Sequence, residues 1–362
     1  MNECVRVSEK ANKKSRLLAA MSGGVDSSVA AKLMLDCGYD CDGATMKLLA
    51  GGGSKCCSLD DIDDARRVCE ALGIEHFVFN FTDDFTLGVI DAFVSAYGRG
   101  ETPNPCVECN RKIKFGKFIS RARELGYDGI ITGHYAKIRR GERGAELWRA
   151  DDKSKDQTYF LWTLTERELS FTHFPLGSMK KEQTREAAES FGLITSKKPD
   201  SQDVCFAADG KYAEFIEDYT GKVFPEGDFT LEDGSVVGHH HGIIRYTVGQ
   251  RRGLGIAYEC PLYVKEINAE ENRVILTRGD GLFGSSLSAE NANIISGEAP
   301  KGTFRAKIKI RYRHAPADAS VTFSEDGKSF RAEFDTPQRA ITKGQSAVIY
   351  DGDRVLGGGV IK

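Results

Sequence analysis

The sequence contains 362 residues, of which 40% are hydrophobic and 28% charged, and its formal net charge is −3 at pH 7. This length predicts two or three domains, and this composition is typical of a soluble globular protein. No run approaches the roughly 18 apolar residues of a membrane helix, and the charged residues 1–16 do not form a secretory signal. The small net charge implies that any nucleic-acid partner must meet a local basic surface.

Segments that predict strands and helices alternate through the first half of the chain. The predicted strands are residues 17–21, 41–47, 75–80, 129–133 and 159–161. The predicted helices are residues 27–35, 59–72, 114–125, 184–191 and 212–219. This order predicts a doubly wound parallel sheet that binds ligands at the carboxyl ends of its strands.

Beyond Gly221, glycines and turn signals become dense and short β-rich runs follow one another. These runs are residues 262–267, 273–277, 303–313, 328–334 and 346–350. They predict a small mixed domain and then a β-barrel. We place the domains at residues 1–212, 213–282 and 283–362.

Residues 22–28 join the first predicted strand to the first helix. Two glycines predict a tight turn, whose backbone N–H groups, together with the positive end of the helix and nearby hydroxyls, suit a phosphate group. The Gly-Lys-Ser/Thr ending of the Walker loop is absent. The stretch instead resembles the SGGxDS signature of ATP pyrophosphatases, which bind the pyrophosphate of ATP and transfer AMP to an oxygen of the substrate. An ordinary glycine turn with a helix cap is the alternative.

Three cysteines lie in segments that suit chemistry. Cys106 and Cys109 form a CxxC motif in a proline-fixed turn, and the helix start at Arg111 that follows is basic, which favours ionised thiols. Cys205 lies in a second segment, which begins with Pro199 and is likewise predicted to be an ordered loop. Three thiols are compatible with zinc, an iron–sulfur cluster or a thiol–disulfide relay, although no fourth zinc ligand is evident. Ten cysteines in a chain without an export signal argue against a disulfide scaffold and predict a cytoplasmic protein.

The predicted strand at residues 303–313 alternates strictly between apolar and basic side chains. Its basic members are Arg305, Lys307, Lys309, Arg311 and Arg313. Five like charges on one face of a strand require screening by water or by an anionic partner. The strand is therefore either a solvated edge strand or a surface that contacts the RNA backbone.

Together these motifs resemble the tRNA-specific 2-thiouridylase family almost from end to end. The resemblance is carried by residues 20–28, 46–47, 102–105, 132–136, 155–161, 203–206, 246–256, 310–313 and 344–352. It implies an N-terminal α/β domain of the PP-loop, adenine nucleotide alpha-hydrolase-like class. It also implies an enzyme that uses ATP to adenylate the C2 oxygen of the wobble uridine, position 34 of tRNA. Sulfur then replaces that oxygen, giving 2-thiouridine, AMP and pyrophosphate.

The resemblance also assigns roles to individual residues. The implied ATP-binding residues are Ala20, Met21, Ser22, Gly23, Gly24, Val25, Asp26, Ser27, Met46 and Gly133, with Asp26 on the Mg²⁺ side. The implied tRNA-binding residues are Asn104, Pro105, Cys106, His134, Lys155, Asp156, Gln157, Arg311, Tyr312 and Gln345. Cys205 would carry a persulfide, and Cys109 would release its sulfur or close a disulfide with it. We expect a monomer that is supplied with sulfur by a cysteine desulfurase, a sulfur carrier or free sulfide.

One position departs from the family pattern. Cys106 stands where the best-known members have aspartate, giving NPCxxC in place of NPDxxC. Related tRNA thiolases use a CxxC motif and a distant cysteine to hold a [4Fe–4S] cluster, so Cys106, Cys109 and Cys205 suit a cluster as well as a relay. A different ATP pyrophosphatase would have no use for Cys109 and Cys205. A non-catalytic tRNA-binding protein would release no pyrophosphate.

Overall fold

The computed structural model describes residues 15–49, 59–141, 144–199, 204–207 and 210–362. Residues 1–14 of the predicted first domain and Asp203, before Cys205, lie outside these ranges. The strands within them are β1 (Arg16–Ala20), β2 (Asp40–Lys47), β3 (His76–Asn80), β4 (Gly129–Ile131), β5 (Ala136–Gly141), β6 (Gly144–Arg149), β7 (Thr172–His173), β8 (Gly227–Leu231), β9 (Val236–His240), β10 (Tyr263–Asn268), β11 (Arg273–Thr277), β12 (Phe283–Ile294), β13 (Thr303–Lys309), β14 (Ala317–Phe323), β15 (Ser329–Arg339), β16 (Ser346–Asp351) and β17 (Arg354–Ile361). The α-helices are α1 (Val25–Asp36), α2 (Leu59–Leu72), α3 (Thr82–Phe85), α4 (Asp91–Gly98), α5 (Pro105–Glu108), α6 (Phe118–Glu124), α7 (Glu166–Ser170), α8 (Lys181–Ser190) and α9 (Tyr212–Thr220).

The first domain contains a parallel sheet in the order β3-β2-β1-β4-β7. Strand β1 is buried on both faces, because Leu18 packs into one hydrophobic cluster while Leu17 and Ala19 pack into another. A strand covered on both sides is expected to be apolar throughout, as β1 is. The doubly wound sheet predicted from the sequence is confirmed.

One predicted strand is wrong. Residues 159–161 lie outside the sheet, and Thr158–Phe160 forms a turn of 3₁₀-helix. The Tyr159 hydroxyl donates a hydrogen bond to the Ser346 carbonyl oxygen (3.1 Å), so this apolar run is buried against the third domain. The fifth strand of the sheet is β7 instead. A short apolar run does not by itself distinguish a strand from another buried segment.

The second domain contains a four-stranded sheet in the order β10-β11-β8-β9, in which β8 and β11 are parallel. Phe229, Val264 and Val274 are fully buried at the centre of its core. The small mixed domain predicted between the catalytic domain and the barrel is therefore present.

The third domain is a closed barrel of six strands. The order is β12-β15-β14-β13-β16-β17, and β17 pairs again with β12. The hairpin β5–β6 of the first domain joins this sheet, because β6 pairs with β17 at Leu147↔Val355 and Trp148↔Arg354. The edge-strand interpretation of residues 303–313 is wrong, since β13 pairs on one side with β14 and on the other with β16.

Among the residues that the structure describes, no helix is long and apolar enough to cross a membrane.

Candidate active site

The turn between β1 and α1 has the geometry of an anion site. Gly24 precedes α1 in an extended conformation and, having no side chain, does not cap the first N–H groups of this helix. Those N–H groups point at the place where the sequence predicts pyrophosphate. Gly23 has a φ of +68°, and a Cβ there would lie 2.3 Å from the carbonyl oxygen of Asp61 in α2. Both its backbone angle and the close approach of α2 therefore require glycine.

Serine hydroxyls order the inside of this turn. The backbone N–H of Ser22 donates to Ser27 Oγ at 3.2 Å, and Ser28 Oγ donates to the Gly24 carbonyl oxygen at 2.8 Å. The Met21 N–H donates to the Ala44 carbonyl oxygen of β2. Met46, two residues further along β2 and buried, lies at the same carboxyl edge of the sheet. The implied ATP-binding residues of β1, the turn and β2 therefore lie together.

Asp26, in the first turn of α1, is held by side chains distant in sequence. Lys181 Nζ donates to both of its carboxylate oxygens, at 2.8 and 2.9 Å, and the Lys181 side chain is only 8% exposed. The hydroxyl of Tyr135 lies 3.0 Å from Asp26 Oδ1 and 2.9 Å from Thr184 Oγ1. Sequence reasoning missed Lys181 and Tyr135 as members of the site. A lysine in the first turn of a helix, where the dipole disfavours cations, is the available signal.

Gly133 and His134 follow β4, and Gly133 contacts the same turn. A Cβ on Gly133 would lie 2.8 Å from both Asp26 C and Ser27 N, so the backbone of this segment touches the start of α1. His134 Nδ1 lies 2.8 Å from Thr132 Oγ1. Burial, reinforced by the charge of Lys114, holds the pKa of His134 well below its ordinary value. His134 is therefore neutral near pH 7 and serves as a hydrogen-bonding group rather than as a cation.

The segment 155–160 runs from Tyr135, beside the start of α1, to the third domain. Gln157 Oε1 accepts from the Tyr135 N–H at 2.8 Å, and the Gln157 N–H donates to the Tyr135 carbonyl oxygen at 2.9 Å. Asp156 is buried, and its carboxylate accepts from Arg149 Nε (3.0 Å), the Ala150 N–H (3.1 Å) and Thr158 Oγ1 (3.0 Å). Asp156 therefore orders this segment from inside the protein.

The other end of the same segment contacts the third domain and the cysteine helix, the continuous helical run Pro105–Lys117 that contains Cys106 and Cys109. The Phe160 ring lies 4.6 Å, centroid to centroid, from that of Tyr312. Asn110 Nδ2 donates to the Phe160 carbonyl oxygen at 3.0 Å. Gln345 Nε2 donates to the Thr102 carbonyl oxygen at 2.7 Å. The structure thus brings the segments around Thr102–Asn110, 155–160, Tyr312 and Gln345 into one seam between the first and third domains.

The CxxC motif begins a continuous helical run. Asn104 caps α5 by accepting the Cys106 N–H at 3.2 Å, and α5 is followed by a π-helical segment, Cys109–Lys117. Cys106 is exposed, whereas Cys109 is buried in the large core cluster of the first domain. Cys205 is half-buried and packs against that same cluster. The two cysteines predicted to handle sulfur therefore lie against one apolar core.

The structure does not place the basic residues of β13 on one solvent face. Arg305 and Lys307 are exposed and form ion pairs with Asp335 (2.8 Å) and Asp318 (2.9 Å). Strand β13 ends at Lys309, which is buried, and beyond it Arg311 donates to the Val248 carbonyl oxygen at 2.8 Å. The prediction of one five-charge strip is wrong, because the barrel turns the end of this strand towards the first domain.

Comparisons with known proteins agree with this architecture. Family models match three segments: a tRNA methyl transferase HUP domain at residues 15–209, a tRNA methyl transferase PRC-barrel domain at 213–278 and an aminomethyltransferase beta-barrel domain at 284–361. A solved U34-tRNA thiolase NcsA from Methanococcus maripaludis, described with its [4Fe-4S] cluster, is 19% identical with a TM-score of 0.36, over 57% of this chain and 71% of that one. A TM-score this low supports no inference about the site.

Curated relatives match over nearly the whole length. The "tRNA-specific 2-thiouridylase MnmA" of Geobacter metallireducens is 47% identical, with 98% of each chain covered. The protein of the same name from Acetivibrio thermocellus is 46% identical, over 96% of this chain and 99% of that one. Relatives that are 46–47% identical and cover nearly the whole chain show that the chain belongs to the tRNA-specific 2-thiouridylase family and is an enzyme of the sulfurtransferase class.

Proposed function

We propose that this protein is a tRNA 2-thiouridine synthase that acts on the wobble uridine, position 34. ATP adenylates the C2 oxygen of the uridine, and sulfur then displaces AMP. The observation that carries this proposal is the position of segment 155–160. It is hydrogen-bonded to Tyr135 beside the phosphate-binding turn, to Asn110 of the cysteine helix, and packed on Tyr312 of the barrel. One substrate base inserted there meets both halves of the reaction.

In the first half-reaction, the uridine C2 oxygen attacks the α-phosphorus of ATP and pyrophosphate leaves. The first N–H groups of α1 would bind the departing phosphates. Lys181, held in place by Asp26, would supply a positive charge where negative charge develops. Asp26 suits Mg²⁺, because this ion is usually held by one or two carboxylates together with substrate phosphates. Bound there, Mg²⁺ would neutralise phosphate charge.

In the second half-reaction, sulfur from a persulfide on Cys205 attacks C2 and the C2–O bond breaks, releasing AMP. Cys109 thiolate attacks Cys205 Sγ and breaks the persulfide S–S bond, which leaves the outer sulfur on the uridine. The cysteines become a disulfide, and an external thiol reductant returns them to thiols. Cys109 and Cys205 both lie in or against the same extensive hydrophobic cluster, and this step requires their thiols to approach each other.

An iron–sulfur cluster held by Cys106, Cys109 and Cys205 is the alternative use of these cysteines. Within the ranges that the structure describes, no three His, Cys, Asp or Glu side chains are grouped so that they could hold a metal ion. Cys106 is exposed at the start of α5 while Cys109 is buried one turn later. We therefore route no step through a cluster.

The implied substrate is a tRNA anticodon loop, whose unpaired bases can be turned into a pocket at modest cost. Aromatic rings at the seam, Phe160 and Tyr312, suit stacking with bases. Gln345 and Asn104, which order the neighbouring backbone, would fix the loop that receives the uridine. A cysteine desulfurase, a sulfur carrier or free sulfide would charge Cys205.

The test is thiolation in vitro with ATP, Mg²⁺, a reductant, a sulfur donor and a tRNA transcript bearing uridine 34. Mass analysis of nucleosides should find 2-thiouridine, with one AMP and one pyrophosphate per thiolated base. A transcript with cytidine 34 should remain unmodified. Cys205→Ser should abolish thiolation, whereas Cys260→Ser, at a half-buried cysteine of the second domain, should preserve it. Full activity of Cys205→Ser and Cys109→Ser would refute the sulfur-transfer step and favour another ATP pyrophosphatase.

A further inference from the structure

Lys309, the last residue of β13, is a buried cation without an anionic partner in the described structure. The residue is 6% exposed. Among the described residues, no carboxylate oxygen lies within ion-pair distance of its ammonium group and no hydrogen bond of that group is found. Its nearest companions are the rings of Tyr312 and Tyr159, whose centroids lie 5.3 and 5.8 Å from Nζ. A buried ammonium is costly unless it is paired and hydrogen-bonded, and aromatic faces compensate only in part.

The charged groups around Lys309 do not compensate for the desolvation of its ammonium group. Asp156 is the nearest source of negative charge, but its oxygens already accept bonds from Arg149, Ala150 and Thr158. The positive charge of Arg149 opposes protonation of Lys309, and burial itself lowers its pKa. Within the part of the chain that the structure describes, this ammonium therefore has no anionic partner, and an anion of a ligand can supply one.

The position of Lys309 shows where such a partner would arrive. Ile308 and Ile310 belong to the barrel core, whereas Lys309 lies against Tyr159 of the first domain. Arg311 reaches the second domain instead, where it donates to the Val248 carbonyl oxygen, and its buried Nε has no hydrogen-bond partner among the described residues. Lys309 is thus a cation at the seam, beside the Tyr312 ring.

We propose that Lys309 binds a phosphate of the tRNA backbone in the seam between the first and third domains, next to the base that stacks on Tyr312. This inference rests on the proposed function and adds a binding residue to it. The Tyr312 ring is half-buried and lies 5.3 Å from Lys309 Nζ, so a base that stacks on this ring brings its phosphate close to the ammonium group. The phosphate supplies an anion for this ammonium group. The unpaired charge therefore lowers the stability of the free protein, and its pairing with phosphate strengthens tRNA binding.

The test compares tRNA binding and thermal unfolding of Lys309→Met with those of the wild type. We expect the Kd for tRNA to rise about 10-fold, as for the loss of one charge-assisted hydrogen bond. The slope of log Kd against log salt should fall by about 0.7 to 0.9, as for one released counterion. The Tm of the free protein should be unchanged or higher, because a buried unpaired charge has been removed. Lys309→Arg should keep the wild-type salt slope.

Lys307→Met is the matched control, because Lys307 lies on the same strand but is exposed and paired with Asp318. Its Kd and salt slope should stay at the wild-type values. An unchanged salt slope in Lys309→Met, or a fall in its Tm together with the loss of affinity, would overturn the inference and assign Lys309 a structural role. A wild-type protein that does not bind tRNA would refute the proposed function as well. The two failures are therefore distinguishable.

Discussion

Gly133→Ala is the change that tests the proposed phosphate site, the turn between β1 and α1, most directly. The added methyl group would lie 2.8 Å from Asp26 C and Ser27 N and 3.0 Å from Asp26 Cβ. Ordinary contact begins at 3.4 Å, so one of the two backbone segments must retreat by about 0.6 Å. The neighbours are mostly backbone atoms of α1 and cannot rotate away as a flexible side chain would. The start of α1, which carries the anion site, is therefore displaced.

The size of the effect follows from this displacement. A misplacement of 1 Å costs on the order of 10²-fold in rate, so about 0.6 Å should lower kcat/KM for ATP roughly 10-fold, or about 1.4 kcal/mol of transition-state stabilisation. Overpacking should also lower the free energy of unfolding by about 1 to 3 kcal/mol. The assay is pyrophosphate release with ATP, tRNA and a sulfur donor, at a temperature where the variant is folded.

Gly98→Ala is the matched control, because a Cβ at Gly98 in α4 meets no atom within 4 Å. Its activity should equal that of the wild type, and its stability should be equal or slightly higher. Wild-type pyrophosphate release by Gly133→Ala would refute the reasoning, since it would mean that the contact between Gly133 and α1 does not position the nucleotide.

Three further changes test other parts of the site. Lys181→Met should lower the rate of pyrophosphate release on the order of 10²-fold. The matched change at the exposed neighbouring residue, Lys180→Met, should leave that rate unchanged. Equal rates in the two variants would contradict a role of Lys181 at the phosphates. Cys106→Ser should retain most thiolation activity when a persulfide donor is supplied, and should show the same iron content as the wild type after anaerobic reconstitution; loss of both iron and activity would establish a cluster. Burial lowers the pKa of His173 to about 4, so the unfolded chain binds a proton that the folded protein does not, and stability falls with pH below about 6.5. Between pH 6.5 and 5 this amounts to about 1.5 kcal/mol, and urea unfolding of His173→Gln should lack that part of the loss; parallel pH profiles of the two proteins would contradict it.

The fold was largely predictable because its signals are local. An apolar strand, two glycines and a helix start follow one another at residues 17–35, and the structure forms β1, the turn and α1 there. The prediction of a strand at residues 159–161 was wrong because an apolar run indicates that a segment is buried but not which element packs against it. Tyr159 is buried against the barrel, through its bond to Ser346. No local pattern encodes a contact across that much sequence.

The candidate site was predictable only where its residues are contiguous. Asp26 stands inside a motif, but its partner Lys181 is brought to it by the packing of α8 against α1. The alternation at β13 correctly placed Ile308 and Ile310 inward, yet it treated Arg305 and Lys309 as equivalent. One faces carboxylates in solvent and the other faces the first domain, a difference that depends on the barrel's position and not on the strand.

The path of the chain between β4 and Phe160 fixes the position of the proposed nucleotide site, at the start of α1, relative to Tyr312 of the barrel. The chain leaves the parallel sheet at Gly133, beside α1, and forms the hairpin β5–β6, which pairs with β17 of the barrel. It then returns through Gln157, which binds back to Tyr135. Because both connections are hydrogen-bonded backbone, the distance between the nucleotide site and Tyr312 is set before any substrate binds. Preorganisation of this kind removes an ordering cost from tRNA binding.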